Sequence, residues 1–141
     1  MGSAVRFHDV VVGTELPGLS MTFTREDLVA YAHASGDMNP IHHDEAFARE
    51  VGLPDVIAHG MLTMGRAIKV VTDWVVDPTC VVEYSVRMTR PVVVPAQSSV
   101  TVDFGAKVVA LDEGNIARLE LTAVFDGQTV LGQARAAVLL A

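Results

Sequence analysis

From Val81 onward the chain alternates between apolar and polar positions. Val82, Tyr84, Val86 and Met88 are interleaved with Glu83, Ser85, Arg87 and Thr89. Val100, Val102, Phe104, Ala106 and Val108 follow with Thr101, Asp103 and Lys107 between them, and Ala117, Leu119, Leu121, Ala123 and Phe125 with Arg118, Glu120 and Thr122. A period of two puts every apolar side chain of a segment on one face, so each segment predicts a half-buried strand. Asp126-Gly127 marks a tight hairpin and Asp112-Glu113-Gly114-Asn115 a looser turn, and Thr129 to Leu140 supplies one further strand.

The first half reads differently. Residues 1–24 are irregular, punctuated by Gly13, Pro17 and Gly18, with a short strand at Ser20 to Phe23. Thr24 reads as an N-cap, with Asp27 three residues on, and opens a helix over Arg25 to Ala34 that Gly36 ends. A short helical piece at Glu45 to Val51 is broken by Gly52, Pro54 and Asp55. A longer helix starts near His59-Gly60 and runs to about Val75. On it Arg66, Lys69 and Asp73 make one narrow polar stripe; Met61, Leu62, Met64, Ala67, Ile68, Val70, Val71 and Trp74 cover the rest. That pattern predicts a helix buried nearly all round, with Met61 and Met64 in the core. A helical half followed by about four long antiparallel strands makes an α+β fold, in which a curved antiparallel sheet wraps a central buried helix. No repeat or linker interrupts it, so a single domain over residues 1–141 is expected.

Composition narrows the classes of function. The 141 residues suffice for one core without metal or disulfide staples. With 50% hydrophobic residues, a mean hydropathy of +0.38 and no run long enough to span a bilayer, the chain reads as a soluble globule with apolar surface to spare, as at a subunit interface. A net charge of −7 with no basic patch argues against nucleic-acid binding. Cys80 is the single cysteine, which excludes an intrachain disulfide and fits a reducing compartment. The start, MGSAVRFHDV, lacks an apolar signal core, so a cytoplasmic location is expected.

The chemistry concentrates in SGDMNPIHHD, the loop that leaves the first helix. Asp37 and His42 lie on it together, and an acid beside an imidazole can share a water, one accepting a proton while the other donates. Both residue types also occur in purely structural networks, and Asn39 reads as a turn-shaping residue. Adjacent histidines on an extended segment point opposite ways, so His42, His43 and Asp44 are not expected to hold a metal, and His33 and His43 read as solvated. In Ala58-His59-Gly60-Met61, free amides at the start of the long helix could hold a developing negative oxygen, and glycine lets a carbonyl approach. Thr63 and Thr72 read as bonded to their own helix backbone, and Cys80 as a buried small residue.

The run Tyr31-Ala32-His33-Ala34-Ser35-Gly36-Asp37-Met38-Asn39-Pro40-Ile41-His42, then Ala46 or Ala48, then Ala58-His59-Gly60-Met61-Leu62 resembles the MaoC-like hotdog-fold family of (R)-specific enoyl-CoA hydratases and dehydratases. Over essentially the whole chain, Ile57 to Gly65, Asp77-Pro78 and Glu83-Tyr84-Ser85-Val86-Arg87 are similar to the B subunit of mycobacterial-type (3R)-hydroxyacyl-acyl-carrier-protein dehydratases. The resemblance implies a single hotdog fold and the reversible syn loss of water from a (3R)-3-hydroxyacyl thioester, on CoA or an acyl carrier protein, with no cofactor. It carries catalytic roles onto Asp37, His42 and the Gly60 amide, with Asn39, His59, Met61 and Thr63 in support of the loop and substrate. It also implies a homodimer, or a heterodimer with another hotdog subunit, with Arg66, Lys69, Arg87 and Arg90 as candidate contacts to an acidic carrier. Some members have a serine two turns beyond the His-Gly pair that supports the loop; here that position is Ile68, with Thr63 or Thr72 as a substitute. Two alternatives stand beside this. A hotdog thioesterase needs a carboxylate on the helix, and Met61 to Thr72 has none; a non-catalytic partner subunit could dispense with Asp37 and His42.

Overall fold

Each alternating segment lies in one antiparallel sheet of the computed structural model, which describes residues 2–141. In chain order the elements are β1 (Leu19–Thr24), α1 (Arg25–Ser35), α2 (Glu45–Glu50), α3 (Gly60–Ala67), α4 (Lys69–Val75), β2 (Val81–Met88), β3 (Ser99–Asp112), β4 (Ile116–Phe125), β5 (Gln128–Thr129) and β6 (Leu131–Leu139). The sheet runs β1-β3-β4-β6-β2, with the two-residue β5 paired to β4. Val102, Phe104 and Val108 of β3, Leu119 and Leu121 of β4 and Ala136 and Val138 of β6 form one buried face that packs with Ala67, Val70, Val71 and Val75.

Local chemistry sets several boundaries. The Thr24 side chain accepts from the Asp27 amide while Asp27 accepts from the Thr24 amide, a reciprocal cap that opens α1. Gly36 closes it at φ 80°, its amide bonded to the Ala32 carbonyl at 2.9 Å. Asp126 and Gly127 both have positive φ, 51° and 72°, as a two-residue hairpin requires.

The long helix departs from expectation twice. It divides into α3 and α4 at Ile68, and it is not buried all round. Met61 is 61% exposed, and Gly65, Lys69 and Asp73 continue its row on the open side. The covered side carries Thr63, Ala67, Val70, Val71 and Val75, with Leu62 packed against it, and Met61 lies outside that side. Arg66 is half-buried instead: its guanidinium lies 4.3 Å over the Phe23 ring and donates to the Thr22 carbonyl at 2.7 Å.

β2 departs as well. It was expected to bury Val82, Tyr84, Val86 and Met88, yet Val82 and Met88 are exposed. β2 is an edge strand with no neighbour on its far side among the described residues, and its register with β6 shifts twice, between Val81 and Glu83 and between Ser85 and Arg87. Tyr84 stays half-buried; its hydroxyl donates to the Met64 carbonyl at 2.6 Å, and burial pushes the phenol up to about 12. No helix among the described residues is long and apolar enough to cross a membrane.

The crossover from β2 back to β3 positions the site. Its Val92 carbonyl accepts from Ala58 and its Val94 amide donates to Val56, both at 2.9 Å, so the strand-like segment before α3 is laced to it. The Ile57 amide in turn donates to the Ile41 carbonyl at 3.2 Å. The loop after α1 and the start of α3 are thereby fixed side by side.

Candidate active site

The loop after α1 is a chain of side-chain turns. Ser35 Oγ accepts from the Asp37 amide at 3.1 Å, Asp37 Oδ1 from the Asn39 amide at 3.2 Å and Asn39 Oδ1 from the Ile41 amide at 3.2 Å. Pro40 then starts a 3-10 turn through His42, and Asp44 caps α2. Each acid or amide holds the next backbone step, which presents the His42 side chain inward.

His42 is buried, 7% exposed, and its Nδ1 lies 2.7 Å from the Ile57 carbonyl. A carbonyl only accepts, so Nδ1 carries the proton and Nε2 keeps a bare lone pair in the neutral ring. That nitrogen faces Asp37 Oδ2 at 3.9 Å. Two acceptors at that separation cannot bond each other, and one water can donate to both.

His59 lies beneath them. It is 1% exposed, and its ring stacks on His42 at 3.7 Å between centroids and 22° between planes. On another side the Tyr31 ring meets it edge-on at 4.7 Å. Its Nε2–H donates to the Asp37 carbonyl at 3.1 Å. Burial, the largest influence, holds this imidazole below its ordinary pKa and favours its neutral form, against the opposing pull of its hydrogen bond to the Asp37 carbonyl. Its Nδ1 has no hydrogen-bond partner among the described residues.

Asp37, His42 and His59 bring possible ligand atoms within 4.8 Å of one another. Stacked, nearly parallel imidazoles direct their in-plane lone pairs side by side rather than toward a common point, and His59 Nε2 is committed as a donor. The geometry suits a proton-handling cluster better than a chelate.

A cavity of about 390 Å³ opens in front of His42. Gly60 and Thr63 share its wall with His42, while Leu53, Ile57 and Val92 supply apolar lining and Met88 and Arg90 come from the end of β2 and beyond. Gly60 opens α3, where the first amides have no acceptor within the helix and no side chain caps them. Met88 lies against Gly60: a Cβ there would stand 3.0 Å from Met88 Sδ.

Of the expected site residues, the structure brings Asp37, His42, His59 and Gly60 into one neighbourhood. Asp37 does not line the cavity; its side chain is 50% exposed beside His42. Asn39 shapes the loop from an exposed position. Met61 points away from the cavity, a correction to its expected core place. Thr63 Oγ1 turns to the His59 carbonyl at 3.5 Å and Thr72 Oγ1 to the Lys69 carbonyl at 3.4 Å, the local backbone bonds expected of helix threonines, and Ile68 packs against the core. Three of the four cations expected to face a carrier are engaged within the chain, Arg66 with Asp27, Lys69 with Asp73 and Arg90 with the Gln128 side-chain oxygen. Leu53, Met88 and Val92 on the cavity wall had no sequence signal beyond their apolar character, because only the crossover brings them there.

The MaoC like domain family profile matches residues 4–125. The 3-hydroxyacyl-thioester dehydratase X of Mycobacterium tuberculosis is 36% identical over 89 residues, 63% of this chain and 31% of that protein. A MaoC-like dehydratase of solved structure superposes with a TM-score of 0.96 at 41% identity, over 99% of this chain and 43% of the other. An (R)-hydratase from A. caviae involved in PHA biosynthesis superposes with a TM-score of 0.82 at 27% identity, over 94% of this chain and 98% of its own. The chain thus spans less than half the length of the first two of these relatives, and its sheet packed on α3 and α4 is the hotdog fold. With a profile match over most of its residues and that fold around the Asp37–His42 loop, the chain belongs to the MaoC-like domain family.

Proposed function

We propose that the chain interconverts a (3R)-3-hydroxyacyl thioester and the trans-2-enoyl thioester by syn loss and addition of water. The observation that carries this is the pair of facing acceptors, His42 Nε2 and Asp37 Oδ2, 3.9 Å apart at the mouth of a cavity that His42 shares with Gly60.

In the hydration direction, a water held between the two acceptors adds its oxygen to C3 as one of the pair takes its proton. The π electrons of C2=C3 move toward the thioester carbonyl, whose growing negative charge is met by the Gly60 N–H at the positive end of α3. A proton then passes from the pair to C2. C3–O and C2–H form, the double bond is consumed, and the enzyme groups return to their starting states. Dehydration retraces these steps. The same-side outcome follows from using one pair for both the oxygen and the proton. A thioesterase reading finds no support: among the described helix residues the one carboxylate of α3 and α4 is Asp73, ion-paired to Lys69 at 2.8 Å on the exposed face.

The partner we propose is a second hotdog subunit, identical or different. Asp37 is half exposed, and the free edge of β2 carries Val82 and Met88 into solvent, which is the kind of edge a second sheet covers. The acyl group arrives on CoA or an acyl carrier protein.

The test is the absorbance of a trans-2-enoyl-CoA, crotonyl first and a longer chain next, mixed with the purified chain beside Asp37→Asn and His42→Ala. Loss of the enone signal with the wild type, slowed at least about a hundredfold in each variant, supports the assignment. A folded wild type inert toward enoyl-CoA, enoyl carrier protein and both in the presence of a second hotdog subunit refutes it.

A further inference from the structure

We propose that His59 is a positioning residue for the Asp37–His42 pair, a neutral imidazole that fixes the Asp37 backbone through Nε2–H and carries the His42 ring on its face. The inference rests on Asp37 and His42 being the groups that handle the water.

Three groups from two elements, α1 and the loop that follows it, converge on this ring. Tyr31 of α1 meets it edge-on at 4.7 Å, His42 of the loop stacks on it at 3.7 Å, and the Asp37 carbonyl accepts its Nε2–H at 3.1 Å. His59 occupies the N-cap position of α3, yet its side chain makes no cap bond and is spent on the loop instead. Asp37 and His42 are held through different backbone points, Asp37 by its own carbonyl and His42 by Nδ1–H on Ile57. A single ring that touches both therefore sets the distance between Oδ2 and Nε2. Among the described residues of α3 and α4, Thr63 and Thr72 bond helix carbonyls instead, and Ile68 packs against the core.

The face contact also has an electrostatic part. When His42 takes a proton it becomes a cation lying on the π face of a neutral ring, an arrangement that favours the charged form. A second imidazolium there would repel it, so His59 performs this role only while uncharged, which its burial secures. The ionisable groups that act on His59 are His42, Asp37 and His43, with Tyr31 at its edge; His42 is faced by Asp37 and His59.

Three variants of the full chain separate the parts. His59→Gln places an amide N–H where Nε2–H was and removes the ring; His59→Phe keeps a π face and removes the donor; His59→Leu keeps the bulk and removes both. Each is followed by NMR titration of the His42 ring and by pH-dependent hydration kinetics. Expected are a His42 titration lower by about 0.5 in pKa in His59→Leu than in His59→Phe, and a loss in kcat of at least about tenfold in His59→Leu, with KM within about threefold and part of the kcat restored in His59→Gln. An unchanged His42 titration together with wild-type kcat in all three overturns the assignment, as does a loss confined to KM. If His59→Leu fails to fold, the Gln and Phe variants decide by the same criteria. The titration needs no turnover, so an inactive wild type counts against the proposed reaction while His59 is still judged by the NMR arm.

Discussion

Arg25 and Asp55 are joined at 2.9 Å between Nη2 and Oδ1, tying the first residue of α1 to the segment that leads into α3. Arg25 Nε also donates to the Val94 carbonyl at 2.5 Å, so one guanidinium spans the start of α1, the segment before α3 and the crossover. Both side chains are largely buried, at 20% and 14% exposure. Arg25→Met leaves Asp55 with the Val56 amide and, as its cation, only the longer 3.8 Å contact to Arg49 among the described residues, and removes the Arg25 donor from the Val94 carbonyl. The expected loss is about 3 kcal/mol, measured from urea unfolding, and Arg25→Met combined with Asp55→Leu is expected to lose less than the sum of the single variants.

Gly60 leaves room that a side chain would take from Met88. A Cβ at this position meets Met88 Sδ at 3.0 Å and Met88 Cγ and Cε at 3.2 Å, all atoms of one flexible side chain. Gly60→Ala is therefore expected to fold, with Met88 pushed toward the cavity and hydration slowed by about tenfold or more. Adding Met88→Ala is expected to restore part of the rate, a recovery that kcat/KM on crotonyl-CoA reads directly.

Acid destabilises the fold through His59. Its folded-state pKa lies below the ordinary 6.5, chiefly because it is buried, so the unfolded chain binds this proton more readily than the folded one. Its neutral form contributes stability in full above pH 6.5, and that contribution is lost as pH falls from 6.5 through the folded-state value. The urea midpoint of the wild type should decline over that window, and His59→Phe should flatten the decline. An equal slope in the two proteins would place the acid sensitivity elsewhere.

Val76 stores strain at the end of α4. It is a β-branched residue at φ 71° and ψ −43°, with its side chain exposed. Val76→Gly relieves a conformation that costs on the order of 1–3 kcal/mol, offset in part by the freedom glycine gains in the unfolded chain. A net gain of about 1 kcal/mol is expected in thermal or urea unfolding, with activity unchanged.

Features decided within a few residues were legible in the sequence. The Thr24 and Asp27 cap, the Gly36 stop and the Asp126-Gly127 hairpin each follow from side-chain or backbone chemistry that acts over three or four positions. The Asp37 to His42 loop was legible as a crowded polar turn for the same reason. What escaped were relations across the chain. Apolar periodicity places Met61 in the core because it reports a face but not whether anything covers that face. Met88 and Val82 followed the alternation, and the edge position of β2 left them in solvent. No glycine or proline marks the break at Ile68. His59 could be placed at the helix start, yet its stacking on His42 depends on the lacing of residues 56–58 to the crossover and to Ile41.

The strand order imposes a schedule on the chain. β2 is synthesised well before β6 but has no other sheet neighbour among the described residues, so Val81 waits for Val138 and Met88 for Leu131. Closing such distant pairs is the slow part of folding. Val130 and Leu131 also line the cavity, so the far wall is missing until the last strand docks. The wall that carries His42 and the wall that carries Leu131 come from segments far apart along the chain, so the cavity exists only once β6 has joined the sheet.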